Sequence, residues 1–348
     1  MAGYFTGFLF FNPQLTIGIF MSLLEGSLVY KPFRYPEFVT MAIEHERIHW
    51  IEDELELQTD VSHWKNNKLR PEEKNHITQI LKLFTTTDVA VGTNYLEYYL
   101  PKFKNNEARA MLSSFAAREF IHQRSYALLN DTLGLDEAEF SAFLDVAQMA
   151  EKLEFMGDID MHSHQGTALA IARSVLNEGV SLFSAFAMLL NYQRFGKMPG
   201  MCTVVEWSAR DETMHSDGMA MLFRRFCEEH PRIVNDDFKK DIYEMFRTAI
   251  KLEDKIIDIA FSMGAVQGLK AEEVKQYIRF LADRRLIQLG LKGNWKVKEN
   301  PLPWMETMLG SDSMSNFFEK RVTDYNAAGL VGDWGWKDEG NEEQSKAA

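Results

Sequence analysis

The sequence is poor in cysteine, since Cys202 and Cys227 are the only two among 348 residues. Two cysteines cannot supply the disulfide framework of a secreted protein, so the composition predicts free thiols and a reducing, cytoplasmic compartment. The same scarcity leaves no cysteine pair for internal redox chemistry.

Positive charge is also scarce. Lys and Arg total 38 against 51 Asp and Glu, which gives a formal net charge of -13. The chain has no Lys or Arg cluster and no Gly-rich phosphate loop, the features that attract nucleic acids, anionic lipids and nucleotides. We therefore expect no nucleic-acid partner and no membrane partner.

A long hydrophobic run suitable for a membrane is absent too. Residues 3–24 carry no charged side chain, but no basic residue precedes them and Asn12, Pro13 and Gln14 interrupt the apolar pattern. A signal peptide or a membrane span needs a charged flank or a longer uninterrupted run. We expect residues 1–30 to form an irregular, packed N-terminal arm.

What the chain does have is helical periodicity. Hydrophobic residues make up 46% of the composition and charged residues 26%, which suits one large globular domain. Apolar positions recur every three or four residues in eight blocks, at 37–50, 72–100, 106–131, 136–154, 165–194, 201–229, 235–265 and 270–292. Pro71 and Asn235 suit helix starts. This pattern predicts an all-α bundle over residues 31–318, followed by a flexible C-terminal tail over 319–348.

Two segments carry a carboxylate and an imidazole three residues apart: Glu119-x-x-His122 and Glu212-x-x-His215. On a helix each pair lies on one face, and each is half of a dinuclear metal site. Tyr126 lies one turn beyond His122 on the same stripe, where a redox metal could oxidise its phenol.

The same spacing occurs twice more, at Glu46/His49 and Glu73/His76. Glu46 and His49 lie among other polar residues, including His45, and Glu73 lies in the polar opening turn of a helix. We therefore predict that both pairs are solvated and lie on the surface. Glu119, in contrast, lies in an apolar stretch, and the helix that carries Glu212 begins with apolar residues. We therefore expect these two pairs to face the core.

Asp88 and Glu178 each interrupt an apolar helix. Taken singly, either one could be an ordinary hydrogen-bonded or exposed carboxylate, because a buried one needs a cation or a raised pKa. Taken with the two motifs, they complete the ferritin-like recipe of one carboxylate from each of two helices and a carboxylate-x-x-His from each of two others. Four carboxylates would balance two divalent ions, and oxygen and imidazole ligands suit iron or manganese. The sequence leaves Fe/Fe, Mn/Fe and Mn/Mn open.

Read in order, these motifs resemble the small, radical-generating subunit of class I ribonucleotide reductase over residues 27–330. The residues that carry the resemblance are Tyr35-Pro36, His49-Trp50, Asp88, Glu119-x-x-His122-x-x-x-Tyr126, Glu178, Arg210-Asp211-Glu212-x-x-His215 and Arg321-Val-Thr-Asp-Tyr325. The resemblance implies a ferritin-like fold with two metal ions, most readily iron, on the six ligands Asp88, Glu119, His122, Glu178, Glu212 and His215.

The resemblance also implies a function in deoxyribonucleotide synthesis, with O2 as the oxidant that produces a tyrosyl radical on Tyr126. Trp50, His122 and Asp211 would form an electron and proton relay, and Tyr325 would pass the oxidising equivalent to a catalytic large subunit docked on the tail. Homodimerisation is implied in the same way. Leu182, Phe183 and Phe186 would line a dry pocket, whereas Ser208 places a hydroxyl where we expect an apolar wall.

Two alternatives use other classes of function. A ferritin-like oxidase or monooxygenase would use the same metals on a bound small molecule or lipid, and would need a substrate cavity open to them. An iron-storage or helical interaction protein would not need the ordered set of Trp50, Asp211 and Tyr325. Storage subunits are also much smaller. The ordered set favours the reductase subunit.

Overall fold

The computed structural model describes residues 22–310 other than 143, 145 and 158. Within this part of the chain the regular structure is helical and no β-strand occurs. The α-helices are α1 Pro36–Arg47, α2 Gln58–Lys65, α3 Pro71–Asn94, α4 Leu100–Lys102, α5 Asn106–Leu133, α6 Glu137–Ala142, α7 Ala147–Gly157, α8 His164–Leu176, α9 Leu182–Leu190, α10 Pro199–Glu229, α11 Asp236–Ala260, α12 Ala271–Gln288 and α13 Pro303–Met308. The all-α prediction is confirmed.

Short turns of other helix types join these elements. The 3-10 turns are Glu52–Glu54, Gln193–Phe195 and Pro231–Ile233. Two π turns, Tyr95–Tyr99 after α3 and Asn177–Ser181 between α8 and α9, interrupt stretches that the sequence pattern predicted as continuous helix. Because π turns are rare and cluster at functional sites, they mark the region of interest.

Helix α2 was not predicted, and it fixes the start of α10. The Asp60 carboxylate on α2 accepts hydrogen bonds from the backbone N–H groups of Gly200 and Met201, at 2.8 and 2.9 Å. Those N–H groups belong to the first turn of α10, where a helix has no internal acceptors. This cap fixes α10, the longest helix described.

The bundle packs α5 against α1, α3 and α10, while α10 also packs on α8 and α9. Helix α9 is buried along its whole length. On α3, α5 and α10 the buried stripe repeats every three or four residues and runs without a break through the polar candidates. These stripes are Ile77, Leu81, Phe84, Asp88 and Val91 on α3; Phe115, Glu119, His122, Tyr126 and Leu129 on α5; and Val205, Ser208, Glu212, His215 and Met219 on α10. The candidates therefore lie in the core, between the helices.

Of the N-terminal arm, only residues 22–30 are described, and they contain no helix. Leu23 is buried and its carbonyl accepts hydrogen bonds from the N–H groups of Lys104 and Asn105. Tyr325 and the C-terminal tail lie outside the described residues, so their predicted roles stay predictions, as do the domain boundaries. In the described helices, none combines the length and the apolar character needed to cross a bilayer. Cys202 and Cys227 are both free and buried.

Candidate metal centre

Glu119, His122, Glu212 and His215 meet between α5 and α10. The Nδ1 atom of His215 lies 2.9 Å from Oε1 of Glu119 and 3.4 Å from Oε2 of Glu212. The Nδ1 atom of His122 lies 3.2 Å from Oε1 of Glu212 and 3.6 Å from Oε2 of Glu119. Each imidazole therefore faces both carboxylates, and all four side chains are buried.

The contacts of Glu119 and of His215 lack hydrogen-bond geometry. Among the described residues, both carboxylate oxygens of Glu119, the Oε2 atom of Glu212 and the Nδ1 atom of His215 have no hydrogen-bond partner. Burying carboxylate oxygens without donors is costly, so the arrangement calls for a cation. One ligand atom from each of Glu119, Glu212 and His215 lies within 4.8 Å of the other two. This donor set of oxygen and imidazole nitrogen fits iron or manganese.

Asp88 and Glu178 approach this quartet from α3 and from the π turn Asn177–Ser181. Both are buried. Burial raises the pKa of Asp88 well above its usual range, with His122 opposing and the charges of Glu119 and Glu212 adding to it. Burial also raises the pKa of Glu178, and the charge of Glu212 is the next largest cause. Both carboxylates thus lie within electrostatic reach of the quartet and out of water.

The protein without metal keeps protons on the two histidines. Burial disfavours an imidazolium, but Asp211 and Glu119 outweigh it at His122 and raise its pKa well above the ordinary value. At His215 the carboxylates of Glu212 and Glu119 outweigh burial and raise the pKa to about 10. A metal ion binding at Nδ1 would replace these protons, because a ligating imidazole must be neutral.

On its outer side, His122 meets a charged network. Its Nε2 atom lies 3.2 Å from Oδ2 of Asp211, and the same oxygen accepts hydrogen bonds from Nε1 of Trp50 and from Arg118, each at 2.7 Å. The rings of Trp50 and His122 are stacked, with centroids 5.8 Å apart. Burial would raise the pKa of Asp211, but His122 and Arg118 hold it well below its usual range. The predicted relay residues Trp50, Asp211 and His122 are therefore in continuous contact.

The outer side of His215 is different. Its Nε2 atom lies 3.0 Å from Nε2 of His45, whose Nδ1 lies 2.7 Å from the hydroxyl of Ser114. Burial, followed by the charges of His215 and Arg118, lowers the pKa of His45 to about 2, so His45 is neutral. His45 is buried, which was not predicted, because it was considered only as a polar neighbour of Glu46 and His49. Its spacing from the buried Phe38, Met41 and Ala42 was the pattern that could have identified it.

Tyr126 is buried beside Asp88. Its ring stacks on Phe84 with centroids 4.5 Å apart and planes 5° apart, and Phe84 stacks on Phe186 at 5.4 Å. Among the described residues, neither the Tyr126 hydroxyl nor the Ser208 hydroxyl has a hydrogen-bond partner. Burial and the charge of Asp88 raise the pKa of the phenol, and the nearby Ser208 hydroxyl opposes this. Phe84 lies one turn before Asp88 but was not among the predicted site residues.

The two remaining Glu-x-x-His pairs differ from each other. Glu46 and His49 are exposed, as predicted. Glu73 and His76 are buried, so the prediction of a surface pair was wrong. The segment after α9 covers them, since Lys197 bonds the Glu73 carboxylate and the Tyr192 hydroxyl bonds Nδ1 of His76.

Comparison with known proteins gives consistent matches. Residues 27–301 match the family described as ribonucleotide reductase, small chain. A probable ribonucleoside-diphosphate reductase small subunit of Invertebrate iridescent virus 3 is 38% identical over 335 residues, covering 91% of this chain and 89% of that protein. The ribonucleoside-diphosphate reductase subunit beta of Chlamydia pneumoniae is 30% identical over 294 residues, covering 80% of this chain and 84% of that one.

Two solved structures share the fold. The dimanganese(II)-NrdF of Streptococcus sanguinis has a TM-score of 0.72 at 19% identity, covering 82% of this chain and all of that one. The ribonucleotide reductase Rnr4 homodimer of Saccharomyces cerevisiae has a TM-score of 0.70 at 22% identity, covering 87% of this chain and 92% of that one. The predicted ferritin-like bundle is confirmed. By its match over most of its length and by its relatives, this chain belongs to the ribonucleotide reductase small-chain family, the small subunit of ribonucleoside-diphosphate reductase.

Proposed function

We propose that this chain holds two metal ions with Asp88, Glu119, His122, Glu178, Glu212 and His215, and stores an oxidising equivalent on Tyr126 for deoxyribonucleotide synthesis. The observation that carries the proposal is the set of buried carboxylate and imidazole atoms without hydrogen-bond partners beside a buried phenol. A pair of redox metal ions, most readily iron, would supply the one-electron oxidation when O2 is the oxidant.

Tyr126 would lose a hydrogen atom, so its proton needs an acceptor and its radical needs shelter. Asp88 is the charged group that most affects the phenol, which makes its carboxylate our candidate proton acceptor. Phe84 and Phe186 cover the ring and exclude water. Among the described residues the hydroxyl has no hydrogen-bond partner, although the Ser208 hydroxyl is close enough to affect its pKa.

Trp50, Asp211 and His122 would carry the oxidising equivalent from the centre towards the surface. The contacts that support this role are the Trp50 Nε1 hydrogen bond to Asp211 at 2.7 Å and the Asp211 contact with His122 at 3.2 Å. The ionised Asp211 carboxylate accepts a hydrogen bond from the indole and contacts the imidazole, and Arg118 stabilises its negative charge. Tyr325 would be the exit residue, and the tail over 319–348 would dock the catalytic large subunit.

We also propose that two copies of the chain associate. Helices α3 and α5 pack side by side and, with the π turn between them, leave large apolar side chains exposed. These side chains are Val89, Leu96, Phe120 and Leu128. A second copy would cover them, because exposed apolar patches of this kind are typical of association surfaces. The fold shared with the yeast homodimer is consistent with this proposal.

The test is radical formation in purified full-length protein loaded with Fe(II) and exposed to O2. We expect a tyrosyl signal in electron paramagnetic resonance that disappears in Tyr126→Phe, while iron analysis shows unchanged metal content. Tyr192→Phe is the matched control, because Tyr192 is an equally buried phenol bonded to His76 rather than to the centre. A signal that survives Tyr126→Phe would remove this residue from the mechanism.

The Tyr126→Phe variant also distinguishes the proposed function from the rival one. An oxidase or monooxygenase acting on a bound small molecule or lipid needs the metals but not the phenol of Tyr126. Such an enzyme would therefore consume O2 and form product in Tyr126→Phe, whereas the reductase subunit would lose nucleotide reduction with its large partner.

A further inference from the structure

A second phenol, Tyr95, lies at the metal centre on the side of Glu178. Its hydroxyl lies 2.9 Å from Oε1 and 2.8 Å from Oε2 of Glu178, and both residues are fully buried. One donor thus faces both carboxylate oxygens at once. The oxygens that Glu178 would offer to a metal ion are the ones that the phenol engages.

The backbone around this contact is unusual on both sides. Tyr95 opens the π turn Tyr95–Tyr99, and Glu178 is the second residue of the π turn Asn177–Ser181. A Cβ atom on Gly179 would lie 2.3 Å from both Nε of Arg285 and Oγ of Ser216, so the second turn is closely packed next to Glu178.

Glu178 also differs from the other acidic candidates in its contacts. In the described part of the chain, the mutually close ligand atoms belong to Glu119, Glu212 and His215, and this group does not include Glu178. Glu119 has no hydrogen-bond partner there, whereas both oxygens of Glu178 have one. Tyr95 satisfies this carboxylate in the absence of metal.

We propose that Tyr95 is a positioning residue that holds the Glu178 carboxylate by a hydrogen bond in the metal-free protein and releases the carboxylate when metal binds. The proposal rests on the metal centre of the proposed function. Tyr95 would differ in role from Tyr126, because it donates a hydrogen bond to a ligand, whereas the Tyr126 hydroxyl has no partner among the described residues.

The test compares Tyr95→Phe with Tyr99→Phe. Tyr99 is an equally buried phenol in the same π turn, but its hydroxyl bonds the Ala170 carbonyl at 2.8 Å and Ser174 at 3.0 Å. Thermal unfolding of the full-length protein would be followed without metal and with saturating Mn(II), under anaerobic conditions. A hydrogen bond that is present only without metal contributes to the stability of that form alone.

We expect Tyr95→Phe to lower the melting temperature mainly in the metal-free form, so that the rise caused by Mn(II) grows by about 2 °C or more. Tyr99→Phe should lower the melting temperature equally in the metal-free and the Mn(II)-bound forms. An equal loss in both forms of Tyr95→Phe would make the bond merely structural, and a larger loss with Mn(II) would mean that Tyr95 holds Glu178 on the metal. Either result overturns the proposal. A wild-type protein that fails to bind Mn(II) would instead refute the metal centre itself.

A second measurement does not depend on how the variant folds. Protein labelled with ring-13C tyrosine would be compared by infrared difference spectroscopy with and without Mn(II). We expect the C–O stretching band of a tyrosine to move on metal binding, in wild type and equally in Tyr126→Phe. A spectrum in which no tyrosine band moves contradicts the release of Glu178 by Tyr95.

Discussion

Three Glu-x-x-His pairs are buried in this protein, and two of them lie at the candidate metal centre. In the third pair, Oε1 of Glu73 accepts a hydrogen bond from Nζ of Lys197 at 2.8 Å, and Oε2 accepts one from the Arg70 N–H at 3.0 Å. At Glu119, in contrast, both oxygens lack a partner among the described residues. Burial and spacing are the same, so what separates a ligand pair from a structural pair is whether the protein satisfies the carboxylate.

The imidazoles of these pairs differ in whether they carry a proton near neutral pH. The Tyr192 hydroxyl lies 3.0 Å from Nδ1 of His76, and the ring packs on Phe261 with centroids 4.7 Å apart. Burial lowers the pKa of His76 to about 3, whereas carboxylates raise that of His215 to about 10. His76 is held neutral in an apolar site, while His215 holds a proton where a metal ion would bind.

The largest expected effect is on metal affinity, and it appears when Glu212 of the candidate centre and Glu73 of the third pair are each replaced. Glu212 contacts both histidines of the centre. We expect Glu212→Ala to weaken Mn(II) binding by more than about 100-fold, which is the upper limit for loss of an outer hydrogen-bond partner. Glu73→Ala should leave binding unchanged and lower the free energy of unfolding by about 1–3 kcal/mol, because Lys197 loses its partner.

The measurement is a titration with Mn(II) in which the unbound ion is counted by electron paramagnetic resonance, beside urea unfolding of each metal-free variant. Equal loss of metal binding in both variants would show that the Glu73 pair also binds metal. The distinction between a ligand pair and a structural pair would then be wrong.

The second prediction uses pH. Because the folded pKa of His76 lies below the ordinary 6.5, the unfolded chain binds the proton first, and this residue lowers stability as pH falls from 6.5 towards about 3. The folded pKa of His215 is raised, so its contribution is complete below pH 6.5 and is lost as pH rises towards about 10. The two histidines therefore act on opposite sides of neutrality.

We expect His76→Gln to flatten only the acid side of the stability profile of the metal-free protein, by up to about 2 kcal/mol between pH 6.5 and 5, at about 1.4 kcal/mol per pKa unit. Saturating Mn(II) should flatten only the alkaline side, because a metal-bound Nδ1 cannot carry a proton. Urea unfolding across pH measures both. An acid limb that is unchanged in His76→Gln would mean that this histidine titrates normally.

The sequence predicted the long helices well, because one apolar stripe repeats through each of them. Helix α10 was expected at 201–229 and lies at Pro199–Glu229. The predicted helix at 165–194 is in fact divided by the π turn Asn177–Ser181, and nearly every residue from Gly166 to Tyr192 is buried. Where all faces are buried there is no stripe, and so the periodicity cannot register one inserted residue.

Site residues within one helix could be found from spacing, whereas contacts between distant segments could not. Glu119, His122 and Tyr126 follow from a single stripe of α5. His45 meets His215 across 170 positions of the chain, and Lys197 reaches Glu73 across 124. These long-range partners decide which histidine is buried and which carboxylate is satisfied. For that reason the surface prediction failed for the Glu73/His76 pair, and the burial of His45 was not predicted.

The last prediction concerns this long-range partner and has the smallest expected effect. The neutral His45 can accept a hydrogen bond from Nε2–H of His215 while its own Nδ1–H donates to Ser114. That bond would keep Nδ1 of His215 free for a metal ion and fix the orientation of its ring. Loss of such an outer partner costs about 10–100-fold in metal affinity. We therefore expect His45→Leu to weaken Mn(II) binding by about this factor.

His45→Gln is the matched variant, because its side-chain oxygen can accept the same hydrogen bond from His215. We expect it to restore most of the affinity that His45→Leu loses, in the same Mn(II) titration. Equal weakening in both variants would mean that the packing of the imidazole matters rather than the bond. His76 makes its hydrogen bond with the Tyr192 hydroxyl at Nδ1, whereas His215 contacts His45 at Nε2, so rescue by Gln would show that the outer contact at Nε2 of His215 supports metal binding.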